Sequence, residues 1–468
     1  MSDASRTFSA WSVPAGLAAP EGLGSDFRAG GVRVRYPAAG APWIRKLAEA
    51  LRGAGGALRA RSARDVSALV GRVGARFLDP ADSLRQRALD LLPGTSGLSQ
   101  EMASAVLDGM ASDWTGERLG RLLDAEFPDP AALDGFVRGG SGRIRAVGPE
   151  LCVQIVSGSV PGVGVTALIR SLLVKGPTLL KPGRGDVILP VLMAEALRDA
   201  DPVLGNATAV VYWPGGTETL EDAALLAADV VTAYGEDEVV RALRARTSVS
   251  TCFVAYHHRV SFGVVGREAL DAHHRHRAAS EVAGAASFFD QRGCVSPQLV
   301  YVEEGGETSP MEFARELAVA MEALEKHLPG GALDALEASR VHQIRGTAEL
   351  LAAAGWGVEV HHGGVSSWTV IFDPSPGFEL SCAGRVIRVK PVPDVLGVAA
   401  LVAPFAGHLQ TAALAGVGAR VERLASDLAD VGVSRITSFD ATPFPPPGWH
   451  HDGQGSLRAL VRWVDLEG

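Results

Sequence analysis

Between residues 152 and 256 short apolar runs alternate with stretches of helical length, and no other feature limits the fold of this chain so tightly. The runs at 152–156, 179–181, 209–213, 229–233 and 252–256 read as buried strands. Helices are predicted over about 163–174, 187–197, 220–227 and 236–245, with Gly176-Pro177 and Pro214-Gly215-Gly216 as breaks. Parallel strands need a crossover between them, and a helix of this length supplies it. The prediction is an α/β fold: a parallel sheet with helices on both faces, an architecture that suits a nucleotide.

The flanks differ from this middle. Residues 1–26 are rich in Ala, Gly, Ser and Pro and are expected to form a flexible lead-in. From 43 to 136 the pattern is helical: Ser62 and Asp65 have capping-box spacing, and Val66, Leu69, Val70, Val73 and Phe77 share one face. That stripe, and another through Met102, Val106, Leu107 and Met110, reads as core. The segment 138–143 is expected to be a flexible break. Beyond 259 a second α/β region begins, with a helix announced by Ser309, Pro310 and Glu312 and strands near 358, 369–372, 386–389 and 434–439. The expected division is a lead-in at 1–26, a nucleotide-binding domain with a helical N-terminal part at 27–258, a second domain at 259–448 and an arm at 449–468.

Composition narrows the function. A formal charge of −9 leaves no basic excess for nucleic acid. The four cysteines, Cys152, Cys252, Cys294 and Cys382, lie far apart without a CxxC pair, which predicts free thiols in a reducing compartment. Residues 1–20 lack the order of a signal peptide, and no apolar run reaches the ~18–20 residues of a membrane span. A cytoplasmic location is expected.

Cys294 is the leading chemical signal. It sits between Gly293 and a Val295-Ser296-Pro297 turn, directly before the apolar run 299–302. Pro297 marks a strand edge and Gly293 admits close approach, so the thiol is expected on a loop at a strand mouth, as a nucleophile or as an inert core cysteine. Gly162-Val163-Gly164, with Ala167, imitates a dinucleotide fingerprint, but 55 glycines make such spacings common. Lys181 and Arg184 stand where an ordinary NAD fold offers an acid to the ribose, and their charge suits the 2′-phosphate of NADP; a solvated basic turn is the alternative. His273, His274 and His276, beside Arg275 and Arg277, read as a solvated face, and no metal is expected. His257 and His258 end a strand, where an acid–base role for His257 and a structural one both stand open. The segment 449–453 reads as a polar turn.

Several stretches occur in order over about 45–466: Leu179-Leu180-Lys181, Tyr234-Gly235, Val260-Ser261-Phe262, the loop 289–298 with Tyr301-Val302-Glu303, the segment 407–411, the segment Trp449-His450-His451-Asp452-Gly453 and the ending 460–465. Together they resemble the LuxC-type acyl-CoA and acyl-protein reductases of the bacterial luciferase operon, a branch of the aldehyde dehydrogenase superfamily. The resemblance implies a Rossmann-type cofactor domain, an α/β catalytic domain and a small oligomerisation arm, with a strand at about 142–147 and the final strand, hence a homo-dimer or homo-tetramer. It implies that Cys294 takes an acyl group from acyl-CoA or an acyl carrier, and that NADPH reduces it to an aldehyde. Lys181 would contact the adenosine ribose. Arg184 stands where NAD-preferring members carry glutamate, and Gly215 and Gly235 join the candidate cofactor contacts. An acyl-activating ligase or a carrier protein is the implied partner.

Two departures qualify this picture. Aldehyde-oxidising relatives resemble one another in a Glu-Leu-Gly-Gly-Lys stretch, whereas the region here reads Tyr256-His257-His258-Arg259 and lacks the water-activating glutamate. The oxyanion turn resembles Gly-Asn-x-Pro in the family, but is Gly158-Ser159-Val160-Pro161 here, and serine reaches less far. An NADP-dependent aldehyde dehydrogenase working oxidatively, and a silent homologue that only binds a partner, are the alternative readings.

Overall fold

The computed structural model describes residues 6–20, 23–140, 142–364 and 367–467. The chain forms two compact units, one of 1–97, 104–257 and 446–468, the other of 98–103 and 258–445.

In the first unit six strands lie in the order Cys252–Tyr256, Val230–Tyr234, Cys152–Ile155, Thr178–Lys181, Thr208–Val211, Trp11–Ser12. The five drawn from 152–256 are parallel, and Trp11–Ser12 runs antiparallel at the edge. From Cys152–Ile155 the chain steps one way through the next two strands, then returns to the other side for Val230–Tyr234. The sheet's topological switch point therefore lies between these two strands, and in open α/β sheets ligands bind outside the carboxyl ends at that point. The central strands are buried at every position because helices cover both faces, so they lack apolar–polar alternation. One face packs Leu47 and Leu51 of the helix Ala41–Arg59 on Val153, Leu179 and Val231. Fully burying each such side chain contributes about 1.5–3 kcal/mol.

Five helices fill 41–126, as the periodicity predicts. Ser62 Oγ accepts from the Asp65 N–H at 3.0 Å and caps Ala63–Ala75. The segment 1–26 departs from expectation, for Arg6–Ser9 and Trp11–Ser12 are strands rather than a flexible lead-in. Arg6–Ser9 pairs with Val32–Pro37, and Phe8, Ala10 and Ser12 are buried. Runs of two and four residues are too short to show alternation, so composition alone misleads there. Residues 1–5 and 21–22 lie outside the described residues. The expected break at 138–143 is a hairpin tip between Val137–Arg138 and Arg143–Val147, with Ser141 outside the description. Arg143–Val147 also pairs antiparallel with Arg462–Leu466.

The second unit holds seven strands in the order Glu359–His362, Thr369–Phe372, Val386–Val392, Pro297–Glu303, Val260–Val265, Leu409–Ala415, Arg435–Thr437. All pairs are parallel except the first. Pro310–Glu325 carries a complete Ser309–Glu312 capping box and packs Phe313 and Leu317 into one face of the core. Among the described residues, no helix is long and apolar enough to cross a membrane.

Candidate active site

The Cys294 loop is built from an unusual backbone. The helix Arg275–Ser287 ends, and Phe289, Asp290 and Gln291 follow with φ of 58°, 49° and 62°. Three successive non-glycine residues in the left-handed region cost of order 1–3 kcal/mol each and persist only when their surroundings fix them. Each is fixed. Phe289 is buried edge-on against Phe444, with ring centroids 5.5 Å apart. Asp290 accepts from Arg385 Nε at 2.9 Å and from the Gly331 N–H at 3.1 Å. Gln291 donates to the carbonyls of Pro297 and Val386, at 2.9 and 2.8 Å, and accepts from the Val386 N–H at 2.8 Å.

On this support Cys294 is exposed, just before Pro297 opens its strand. Its carbonyl accepts from Ser261 Oγ at 2.6 Å, and Ser261 Oγ accepts from the Thr411 N–H at 3.1 Å. A Cβ on Gly293 would come within 3.1 Å of Ser296 Oγ and 3.2 Å of the Phe289 ring, so glycine is the residue this turn accommodates best. The other cysteines differ in setting. Cys152 is fully buried and burial pushes its thiol up to about 12, Cys252 is exposed on the first sheet's edge strand, and Cys382 is half-buried.

The remaining candidates cluster at the carboxyl end of the first sheet. Ser159, exposed, follows Cys152–Ile155, and Gly235 follows Val230–Tyr234, so the two flank the switch point. A Cβ on Gly183 would lie 2.1 Å from the Gly158 nitrogen, and one on Gly158 would lie 2.5 Å from the Gly185 nitrogen. Only glycine lets these two loops meet, which brings the Ser159 turn beside Lys181 and Arg184. Lys181 is buried, with Nζ 5.9 Å from the Tyr212 ring centre, and burial lowers its pKa against the pull of Glu221. Arg184 lies 4.4 Å over the Phe27 ring and donates to the Arg28 carbonyl at 3.0 Å. Gly215 and Gly216 are exposed, and a Cβ on either would meet nothing within 4 Å. Behind them Glu218–Ala227 starts without a side-chain cap. The Gly216 N–H donates to Glu221 at 3.1 Å, so exposed Gly215, with two cations at the end of the neighbouring strand, is what this edge offers a dinucleotide. Glu221, in that first turn, is paired with Arg246 at 2.9 Å.

The Gly162-x-Gly164 helix start is not such a cradle. Its two N–H groups donate to Asp186 at 2.7 Å each, and burial pushes that carboxyl up to about 7 against their pull. His257 Nδ1 lies 3.2 Å from Asp237 Oδ1. His273, His274 and His276 are exposed, and His274 and His276 face Asp271 and Glu316 at 2.8 Å. The segment 449–453 is more than a polar turn. Trp449 stacks on His451, His451 on Tyr256, and Tyr256 on Tyr234, with centroids 4.7, 4.5 and 4.4 Å apart. The tyrosines end two adjacent strands, so this four-ring pile sits at the same carboxyl edge. Sequence reasoning missed the supports of Cys294: Ser261, Gln291, and Asp290 with Arg385.

Residues 58–463 match the acyl-CoA reductase (LuxC) family. The long-chain acyl-protein thioester reductase of Aliivibrio fischeri is 25% identical over 402 residues, 84% of this chain and 80% of that one. Among solved structures, lactaldehyde dehydrogenase from Escherichia coli superposes with a TM-score of 0.74 at 15% identity, covering 98% of both chains. A mutant of aldehyde dehydrogenase C from Pseudomonas syringae, solved with NAD+ and octanal, gives 0.72 at 13% identity, covering 97% of this chain and 95% of that one. The structural likenesses carry the aldehyde-dehydrogenase-like α/β fold, and the match over most of its length shows that the chain belongs to the acyl-CoA reductase (LuxC) family.

Proposed function

We propose that the protein reduces an acyl thioester to an aldehyde through an acyl-cysteine at Cys294. The observation that carries this reading is the exposed cysteine on a loop whose preceding residues Phe289, Asp290 and Gln291 are each pinned. The Cys294 thiolate attacks the thioester carbonyl, the C–S bond to the donor breaks, and the donor leaves as a thiolate. His257, oriented by Asp237, is the acid–base candidate for protonating that thiolate. NADPH, when bound, supplies the hydride that converts the acyl carbon to a thiohemiacetal on Cys294. Collapse of that adduct returns the cysteine thiolate and releases the aldehyde. Ser159 is the oxyanion candidate.

Lys181 and Arg184 support NADPH over NADH, with the guanidinium over Phe27 as the 2′-phosphate contact and Lys181 at the ribose. Gly215 and Gly235 complete the candidate cofactor contacts. The strand Cys252–Tyr256 ends in a buried, stacked tyrosine where a hydrolytic enzyme of this fold would need a water-activating carboxylate, which favours reduction over hydrolysis. The relatives' activity on acyl-protein thioesters makes a carrier-bound acyl group the donor to try beside acyl-CoA, with an acyl-activating ligase or carrier as partner. The sheet formed by Arg462–Leu466 and Arg143–Val147 is the proposed arm of a homo-dimer or homo-tetramer.

Intact-mass analysis after incubation with acyl-CoAs and acyl-carrier proteins, first without and then with NADPH, tests the reading. An acyl mass on Cys294 that NADPH discharges as aldehyde is expected. Discharge as free acid would favour the oxidative alternative, and absence of any adduct would sink both.

A further inference from the structure

We infer that the N-terminal hairpin sets the preference for a 2′-phosphorylated dinucleotide, with Phe27 as the positioning residue that holds Arg184 for that phosphate. The inference deepens the proposed function and rests on Arg184 being the 2′-phosphate contact.

The hairpin pairs Leu23–Ala29 with Val32–Pro37 and turns at Gly30 and Gly31, whose φ of 49° and 81° suit glycine. Its register sets Phe27 opposite Val34, so Phe27 and Tyr36 share one face. Both rings pack on Tyr212, with centroids 5.3 and 5.2 Å away. Tyr212 follows the strand Thr208–Val211, which lies beside Thr178–Lys181 in the first sheet. The aromatic face of the hairpin therefore meets the carboxyl edge that carries Lys181 and Arg184.

The hairpin is fixed at both ends. The Ala10 N–H donates to the Arg35 carbonyl at 2.7 Å, and the Tyr212 N–H donates to the Ala10 carbonyl at 3.0 Å. At the tip, a Cβ on Gly30 would lie 2.5 Å from the Gly94 Cα, so the turn sits directly on the helix Ser83–Ser96. On this platform Arg184 is exposed, with Cζ 4.4 Å over the Phe27 ring and Nη2 donating to the Arg28 carbonyl at 3.0 Å. A ring face and a carbonyl orient a guanidinium without neutralising it, and its other N–H groups suit a phosphate. An exposed arginine otherwise loses its rotamer freedom on binding, and holding it beforehand lowers that cost. Lys181 Nζ lies 5.9 Å from the Tyr212 ring centre, so one aromatic cluster packs against both cations. NADH lacks the 2′-phosphate, so the effect of the ring falls on NADPH.

The experiment measures the Kd of NADPH and of NADH by nucleotide fluorescence in the wild-type chain, Phe27→Leu, Phe27→Tyr and Arg184→Gln. Leucine keeps an apolar side chain against Tyr212 and removes the ring face; tyrosine restores it. The expected result is NADPH binding weakened about twofold to fivefold in Phe27→Leu, with NADH binding unchanged and Phe27→Tyr close to wild type. Equal weakening of both cofactors in Phe27→Leu, no weakening at all, or a tyrosine variant as weak as the leucine one overturns the inference. A loss of NADPH affinity in Arg184→Gln would then leave the 2′-phosphate contact standing. Unchanged NADPH affinity in Arg184→Gln overturns that contact and the inference with it. Should Phe27→Leu not fold, Phe27→Met removes the ring while filling similar space and is read by the same criteria. Binding needs no thioester, so failure of the Cys294 reaction would show in the acylation experiment alone.

Discussion

Two loop systems, one in each unit, hold difficult backbone in opposite ways. Before Cys294 the left-handed residues Phe289, Asp290 and Gln291 have full side chains, and those side chains are the clamps. At the end of the first sheet, Gly158, Gly183 and Gly185 let two loops touch by carrying no side chain at all. The first design is rigid because partners were added, the second because atoms were removed. A loop built the first way can be redirected by one lost hydrogen bond. A loop pair built the second way fails only when something is inserted.

The sharpest way to break that contrast is Asp290→Ala. It removes one of the two carboxylates paired with the almost wholly buried Arg385, which keeps Glu325 at 2.8 Å, and should cost about 1.5–3 kcal/mol in urea unfolding. A loss below 1 kcal/mol would mean that the left-handed run does not depend on its clamps. Gly183→Ala should cost about 1–3 kcal/mol, because its Cβ would strike the Gly158 nitrogen rather than a side chain that can move aside. A thermal midpoint equal to wild type would refute the close-approach argument.

These two regions also show what a sequence reveals. The glycines are visible as glycines, and the parallel sheet between 152 and 256 is legible because fully buried strands must be separated by helices. The exposed loop position of Cys294 before its strand was legible from Gly293 and Pro297. The left-handed run was not, because Asp290 and Gln291 take that conformation only through Arg385 and Val386, far along the chain. The ring pile on Tyr234 and Tyr256 was hidden for the same reason: His451 and Trp449 come from a segment read as a polar turn. The helix Ala335–Ala353 escaped because Leu336 and Leu350 point to solvent and blur its stripe.

Two smaller effects sharpen the comparison on the cofactor side. Ser159→Asn adds a longer amide donor on an exposed turn and should raise single-turnover reduction of an acyl thioester roughly tenfold, about 1.4 kcal/mol, without changing stability. A rate no faster than wild type would remove Ser159 from the oxyanion site. Gly215→Ala meets open space, so stability should change by less than about 0.5 kcal/mol while NADPH binding, followed by nucleotide fluorescence, weakens. Unchanged affinity would exclude Gly215 as a cofactor contact.

The division of the chain also has a consequence for its synthesis. Residues 446–468, which bring Trp449, His451 and the strand Arg462–Leu466, belong to the first unit, yet all of 258–445 is translated before them. At about 5–20 residues per second, the ribosome takes on the order of ten seconds or more to cross that interval. Throughout it the nascent first unit waits with Tyr256 uncapped and the outer edge of Arg143–Val147 unpaired. The last segment thus acts as a latch, and a chain stalled before it would present an open sheet edge to chaperones.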